Sequence, residues 1–169
     1  MKHRFMVNPI LCTVSGAVCL AFVLMGGIML FSLQRLVSAL IFFAFGVLFL
    51  GVAIHFGAIL TIDREGITRS VLGIQRKYLP WEKVKEVGVA GTRVVKDPKS
   101  KHVGTLYIYF SEEALDKDSR FRYMLSWPHW NHCYLLFSHK RVTAVQMIWD
   151  RKIETFNIGD LTLGEGLKN

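Results

Sequence analysis

The chain has 169 residues, which is enough for one soluble domain of ordinary size and an additional segment. Hydrophobic residues make up 51% of it, a high fraction for a globular protein, and its net charge at neutral pH is +8. Its three cysteines, of which two fall in one apolar run and the third stands alone, exclude a disulfide framework.

Two long runs, residues 5–34 and 36–62, contain no Asp, Glu, Lys or Arg, and only Arg35 separates them. Each run exceeds the roughly 20 residues that cross a bilayer core. We therefore predict two transmembrane helices at about residues 10–32 and 36–57, forming a hairpin within residues 1–58. A cleaved signal peptide is the competing interpretation of the first run. It is disfavoured because a signal's apolar region is about 7 to 15 residues long and no small-x-small cleavage site follows.

The connection between the two runs, "LQR", is short enough that the helices must be antiparallel neighbours. Small side chains in both helices would let them approach closely, although Gly and Ala are also simply common in membrane helices. The small residues are Cys12, Gly16, Cys19, Gly26 and Gly27 in the first helix and Ala39, Ala44, Gly46, Ala53 and Gly57 in the second.

Basic residues flank the hairpin unequally. Lys2 and Arg4 precede the first helix and Arg35 lies in the connection. Six more follow the second helix: Arg64, Arg69, Arg76, Lys77, Lys83 and Lys85. Because cytoplasmic loops carry the excess of Lys and Arg, this pattern predicts a multi-pass protein of the plasma (inner) membrane with both termini in the cytoplasm.

Residues 59–169 are predicted to form a β-rich cytoplasmic domain. "AILTIDREGITRSVLG" alternates apolar and polar positions around a tight turn, in which Gly66 can take positive φ. Pro80 should separate two further strands, and "TLYIYF" and "CYLLF" are strand-like in composition. A C-terminal helix over about residues 139–152 follows Ser138 as N-cap, with apolar residues at helical spacing: Val142, Val145, Ile148 and Trp149.

Two apolar helices that lead directly into "ILTIDREGITRSVLGIQRKYLPWEKV", and a closing "LLFSHKRVTAVQMIW", give the chain a resemblance to a family. It resembles the bacterial membrane proteins with a pleckstrin-homology-like domain, including the YcxB-like group. The resemblance implies a fold of membrane α + β class, in which the hairpin precedes a small antiparallel β-barrel or sandwich closed by a C-terminal helix. This chain departs from the pattern in a longer segment, residues 111–132, between the last two strands.

The stretch "SWPHWNHCYLLF" raises the alternative of a metal site at His129, His132 and Cys133. These residues offer three ligands at best, whereas a structural zinc site needs four. If His132 and Cys133 begin a strand, their side chains point to opposite faces, so we expect no metal here and no cofactor elsewhere.

Residues 64–110 contain ten basic and four acidic residues, a net charge of +6. Near an anionic leaflet each cation is worth on the order of 1 kcal/mol, so the domain is expected to lie against the membrane. Amphipathic rings and cations are both favoured at headgroup level. A solvated basic loop and aromatic rings that only cover the barrel are the alternatives. The candidate contact residues are Arg93, Lys96, Lys99, Lys101, Arg120, Arg122, Trp127 and Trp130.

The sequence contains no Gly-rich phosphate loop, serine elbow or HExxH motif, so we do not expect an enzyme. The leading hypothesis is a membrane-anchored, cytoplasm-facing interaction module that binds a protein partner or an anionic lipid surface. The alternative is a small accessory subunit of a transport or signalling complex that acts through its hairpin. The expected partners are the bilayer and a protein, with self-association allowed and no nucleic acid.

Overall fold

The computed structural model describes residues 2–91, 105–116, 119 and 133–156. Its helices are α1 (Pro9–Phe31), α2 (Leu36–Phe56) and α3 (His139–Gln146), and a 3₁₀ turn spans Trp81–Lys83. Its strands are β1 (His3–Met6), β2 (Ile59–Ile62), β3 (Gly66–Val71), β4 (Ile74–Pro80), β5 (Glu86–Gly91), β6 (Leu106–Ser111), β7 (Cys133–Leu136) and β8 (Glu154–Phe156).

These residues divide into two compact units. The helical unit comprises Met6–Ala58 together with Val71–Ile74. The β unit contains the other described residues, including most of β1 and all of β5 to β8.

The helical unit contains the two predicted apolar helices, and their bounds lie within one residue of those predicted. The Asn8 side chain caps α1 by accepting a 3.1 Å hydrogen bond from the Leu11 N–H, and Pro9 occupies the first turn, where no intrahelical donor is needed. Most of the Leu, Ile, Val and Phe side chains on both helices are exposed. By length and composition, α1 and α2 are both able to cross a membrane.

Small residues line the contact between α1 and α2. Gly26, Ala39, Gly46 and Ala53 are buried there. A Cβ on Gly26 would approach the Phe43 ring to 2.7 Å, so the ring packs where only glycine leaves room. Gly16 and Ala44 are exposed instead. Close approach therefore explains part of the small-residue pattern, and the rest faces outward.

The strands of the β unit form two four-stranded sheets, with orders β1-β2-β3-β4 and β7-β6-β5-β8. Strands β2 and β3 pair antiparallel, with Ile62 opposite Ile67. The pairs β5–β6 and β6–β7 are also antiparallel. Pro80 ends β4, and the 3₁₀ turn separates it from β5, as predicted. The expected antiparallel sheets are confirmed, but among the described residues they do not close into a barrel.

Side chains from both sheets and α3 share one hydrophobic core, which includes Leu60, Ile67, Val89, Ile108, Leu135 and Val145. Ser138 caps α3 as predicted, because its hydroxyl oxygen accepts a 3.4 Å hydrogen bond from the Arg141 N–H. Val142 and Trp149 are both buried in the core, although Trp149 lies beyond the end of α3.

The prediction that a helix over residues 139–152 closes the fold is wrong in two respects. Helix α3 ends at Gln146, and the chain then tightens, with the Ile148 N–H bonded to the Val145 carbonyl at 3.0 Å. Strand β8 follows and pairs in parallel with β5, with Gly88 opposite Glu154. This parallel partner lies more than sixty residues away in sequence, so local periodicity could not indicate it.

The role predicted for Gly66 is also wrong. Positive φ occurs instead at Leu72 and Gly73, in the connection between β3 and β4. Gly66 is needed for space, because a Cβ there would lie 2.5 Å from the Leu79 carbonyl oxygen and 2.8 Å from the Pro80 Cα. A backbone crossing at this distance excludes every other residue type.

Candidate functional site

The predicted contact residues all fall outside the described part of the chain. They are Arg93, Lys96, Lys99, Lys101, Arg120, Arg122, Trp127 and Trp130. His129 and His132 also lie outside it, and most of the segment 111–132 does so too.

The described basic residues of the +6 segment are not equivalent. Arg64, Arg76, Lys83 and Lys85 are exposed and available to an anionic surface. Lys77 is engaged, because its Nζ lies 2.6 Å from Glu112 Oε1. Arg69, one of the six cations that follow α2, is only 2% exposed, and its guanidinium lies over the Tyr134 ring, 5.6 Å from the centroid.

A surface groove with a volume of about 380 Å³ lies beside α3 and β1 in the β unit. Its geometry follows from the amphipathic pattern of α3. Val142 and Val145 face the core, while Lys140, Thr143 and Met147 form the opposite stripe at helical spacing. The groove is lined by that stripe, by Ala144 and by two residues of β1: His3, Phe5, Lys140, Thr143, Ala144 and Met147.

Stacked rings form the β1 side of this groove. The imidazole of His3 and the ring of Phe5 are parallel within 4°, with centroids 6.0 Å apart. The Arg141 guanidinium lies 5.5 Å from the Phe5 centroid, and its Nη1 donates a 2.8 Å hydrogen bond to the Leu136 carbonyl. Burial lowers the pKa of the Arg141 guanidinium from its ordinary value. Arg141 does not line the groove itself, but its guanidinium holds the Phe5 ring that does.

Lys140 is the charged residue among those that line the groove. It is exposed at the lining and adds a positive charge. His3 Nε2 has no hydrogen-bond partner among the described residues, but it is inaccessible to solvent and therefore does not face the groove opening. An apolar group that carries a negative charge suits a groove of this composition.

A buried polar cluster in the second sheet has a structural role. Glu86 Oε1 accepts a hydrogen bond from the Tyr109 hydroxyl, and its Oε2 accepts one of 2.9 Å from the Leu115 N–H. Tyr109 lies opposite Gly88 in the β5–β6 register, and a Cβ on Gly88 would overlap the Tyr109 ring. These bonds fix the start of the segment that follows β6.

Cys133 is buried at the start of β7, and burial raises the pKa of its thiol to about 11. A free thiol held neutral in this way is a poor nucleophile at neutral pH. Within the described ranges, no group of three or more His, Cys, Asp or Glu side chains could hold a metal ion.

No family model, curated protein or solved structure matches this chain. The class that its described residues define is therefore a coarse one. It is a chain with two apolar helices that are long enough to cross a membrane, associated with an α + β unit of mainly antiparallel sheets.

The groove is the feature that sequence reasoning missed, because its two walls lie more than a hundred residues apart in the chain. One signal was present: "HRFM" before α1 alternates half-buried His3 and Phe5 with exposed Arg4 and Met6, the period of a strand. From the sequence alone, Lys2 and Arg4 indicate only a basic flank of the first helix.

Proposed function

We propose that the chain is a membrane-anchored interaction module whose β unit faces the cytoplasm and binds a protein partner or an anionic lipid surface. In this proposal α1 and α2 are both transmembrane, both termini are cytoplasmic, and the β unit is related to pleckstrin-homology-like domains. No catalytic step is part of the proposal.

Support for the anchoring comes from the connection between α2 and β2. Only Gly57 and Ala58 separate the end of α2 from the start of β2. A β unit attached by two residues has little freedom to leave the bilayer surface. The positive-inside rule supports the cytoplasmic side, because exposed Arg64, Arg76 and Lys83 all follow α2.

The groove beside α3 is the observation that carries the interaction function. Met147 is 60% exposed at its edge, a large apolar side chain that water solvates poorly. Lys140 beside it provides charge attraction for an acidic partner. An apolar centre with a polar rim is the usual anatomy of a surface that binds a protein segment.

The test compares three variants of the full chain in gently solubilised membranes. Met147→Glu puts a negative charge at the groove, and Thr155→Glu puts the same charge on an exposed position of β8 as a matched control. The third variant exchanges residues 9–56 for an unrelated two-helix hairpin. Proteins that co-purify with the wild type should be lost from Met147→Glu and retained by the other two variants.

The opposite pattern would favour the accessory-subunit alternative. If the partner is retained by Met147→Glu and lost on exchange of the hairpin, the helices carry the interaction. A partner that no variant affects would contradict both functions.

A further inference from the structure

The connection between β3 and β4 is a two-residue turn of unusual composition. Leu72 has φ 51° and Gly73 has φ 80°, so both central residues are in the left-handed region, the combination found in a type I′ turn. Gly tolerates this conformation without strain, whereas for an L-residue with a large side chain it is disfavoured. Asn or Asp is the usual first residue of such a turn. Leucine is therefore a poor choice for the fold at position 72.

The tip of this hairpin is also apolar and exposed. Leu72 is 78% exposed and Ile74 is 58% exposed. The turn at the other end of β3 is built in the opposite way: Asp63 Oδ1 accepts 3.1 Å hydrogen bonds from the Glu65 and Gly66 N–H groups. Strand β3 therefore connects a polar turn, which its own Asp63 side chain stabilises, to an apolar turn.

The residues that follow the tip match the polarity profile of a membrane interface. Arg76 is exposed two residues beyond Ile74, and Tyr78 is 45% exposed two residues further. At about 3.3 Å per residue, they lie roughly 7 and 13 Å beyond Ile74 along the strand. Cations and tyrosine side chains are both favoured at headgroup level, next to an apolar end that contacts the acyl region.

The turn belongs to the same compact unit as the apolar helices. Val71–Ile74 groups with Met6–Ala58 and not with the remainder of β3 and β4. If α1 and α2 are in a bilayer, the lipid around them is an apolar environment that the side chains of this turn can contact.

We propose that Leu72 and Ile74 insert into the headgroup–acyl boundary of the bilayer that α1 and α2 span. The proposal rests on the membrane anchoring proposed above. Burial of these two side chains in lipid offsets the backbone strain at Leu72 and accounts for a leucine where the fold prefers asparagine. The β3–β4 turn becomes a further attachment of the chain to the membrane.

The test uses the full chain reconstituted in neutral phosphatidylcholine vesicles. An environment-sensitive fluorophore is attached at Leu72→Cys and, as the matched control, at Arg64→Cys in the polar turn at the other end of β3. The two positions are separated by the length of the strand, about 20 Å. Unsubstituted protein, which has Cys12, Cys19 and Cys133, gives the background labelling.

We expect the two quenchers to rank positions 72 and 64 in opposite orders. Aqueous iodide should quench the fluorophore at position 72 several-fold less than that at position 64, and quencher-bearing lipid should quench it several-fold more. Equal quenching by iodide at the two positions would overturn the proposal. So would a label at 72 that is shielded from iodide but unaffected by the lipid quencher, because a protein surface would then cover the turn.

A second variant separates lipid contact from loss of fold. Leu72→Asn replaces leucine with a residue that tolerates left-handed φ, so the melting temperature in detergent should be unchanged or raised. In vesicles, however, a fluorophore at Ile74→Cys should become several-fold more accessible to iodide in the Leu72→Asn background. Unchanged accessibility in that background would contradict insertion of the tip.

Failure of this proposal and failure of the anchoring are distinguishable. If alkaline carbonate releases the chain from vesicles, the membrane anchoring itself is wrong and the insertion with it. If the chain resists carbonate and position 72 remains open to iodide, only the insertion of the turn is wrong.

Discussion

The indole N–H of Trp81 donates a 2.7 Å hydrogen bond to the main-chain carbonyl of Asp63. The same indole packs against Trp149, with ring centroids 5.8 Å apart, and against Phe110 at 6.2 Å. One side chain therefore ties the β2–β3 turn to the second sheet and to the segment after α3.

The two contributions of Trp81 can be separated by substitution. Trp81→Phe keeps most of the ring contacts and loses the hydrogen bond, so it should lower the free energy of unfolding by about 1 kcal/mol. Trp81→Ala removes the ring as well and should cost about 3 to 5 kcal/mol. Denaturant unfolding of the purified chain measures both, and equal losses in the two variants would show that ring packing is not the larger effect.

Gly66→Ala tests the backbone crossing at the β2–β3 turn. The added methyl group would meet main-chain atoms of Leu79 and Pro80, which cannot rotate away, and the expected loss is about 1 to 3 kcal/mol. Gly73→Asn is the control, because position 73 is open and asparagine tolerates its positive φ. If Gly66→Ala were as stable as the Gly73→Asn control, the close approach of the Leu79 and Pro80 backbone to Gly66 would be contradicted.

Cys133 should make stability sensitive to alkali. Burial raises its pKa to about 11 from its ordinary value of 9.0, so between these pH values the unfolded chain loses the proton first. The folded state is then the form that binds more protons, and stability must fall as the pH rises from 9 towards 11, by about 2 to 3 kcal/mol in total. Tyr134, whose pKa burial also raises, acts in the same direction at still higher pH.

Melting temperatures of the wild type and Cys133→Ala, recorded between about pH 8 and 11, measure this effect. The variant starts lower because of the cavity, but its melting temperature should fall less steeply with pH. Parallel curves for the two proteins would contradict the assigned burial of the thiol.

The strand before α1 should be essential for an isolated β unit. A chain that begins at residue 61 lacks β1 and also loses Leu60, a fully buried core residue. The Val7 N–H bonds to the Ala58 carbonyl at 2.8 Å, so an Asn-Gly turn can replace residues 8–57 and join β1 directly to β2. This joined unit should unfold cooperatively, with a higher melting temperature than residues 61–169 alone, and equal melting temperatures would show that β1 is dispensable.

The joined unit also provides a soluble reagent for the anionic-lipid hypothesis. It should sediment with vesicles that contain anionic lipid and be released as salt shortens the reach of each charge to about 8 Å at physiological ionic strength. Neutralising Lys96, Lys99 and Lys101 should weaken this binding most at low salt, whereas Trp130→Ala should weaken it equally at all salt concentrations. Equal binding to neutral vesicles at low salt would assign the basic segment to an acidic protein partner.

Local signals account for the elements that were predicted correctly. Uninterrupted apolar runs define α1 and α2, Pro80 marks the break after β4, and Ser138 marks the start of α3. The misses depend on distant partners. Strands β1 and β8 are only four and three residues long, and each exists because another strand lies beside it.

The candidate site was less predictable than the fold for a related reason. The groove joins His3 and Phe5 to Met147, which no spacing rule connects. The apolar turn is visible in the letters "SVLGIQ", but its meaning depends on positive φ at Leu72, which the letters alone do not show. The predicted basic and aromatic contacts stay predictions, since they lie outside the described residues.

The orientation of the chain in the membrane is the premise on which the interaction surfaces depend. Cysteine labelling in intact cells tests it most directly, with Gln34→Cys in the α1–α2 connection and a cysteine added after Asn169. A membrane-impermeant maleimide should label position 34 in intact cells and should reach the C-terminal cysteine only after permeabilisation. Labelling of the C-terminal cysteine in intact cells, with position 34 protected, would place the β unit outside and contradict the account.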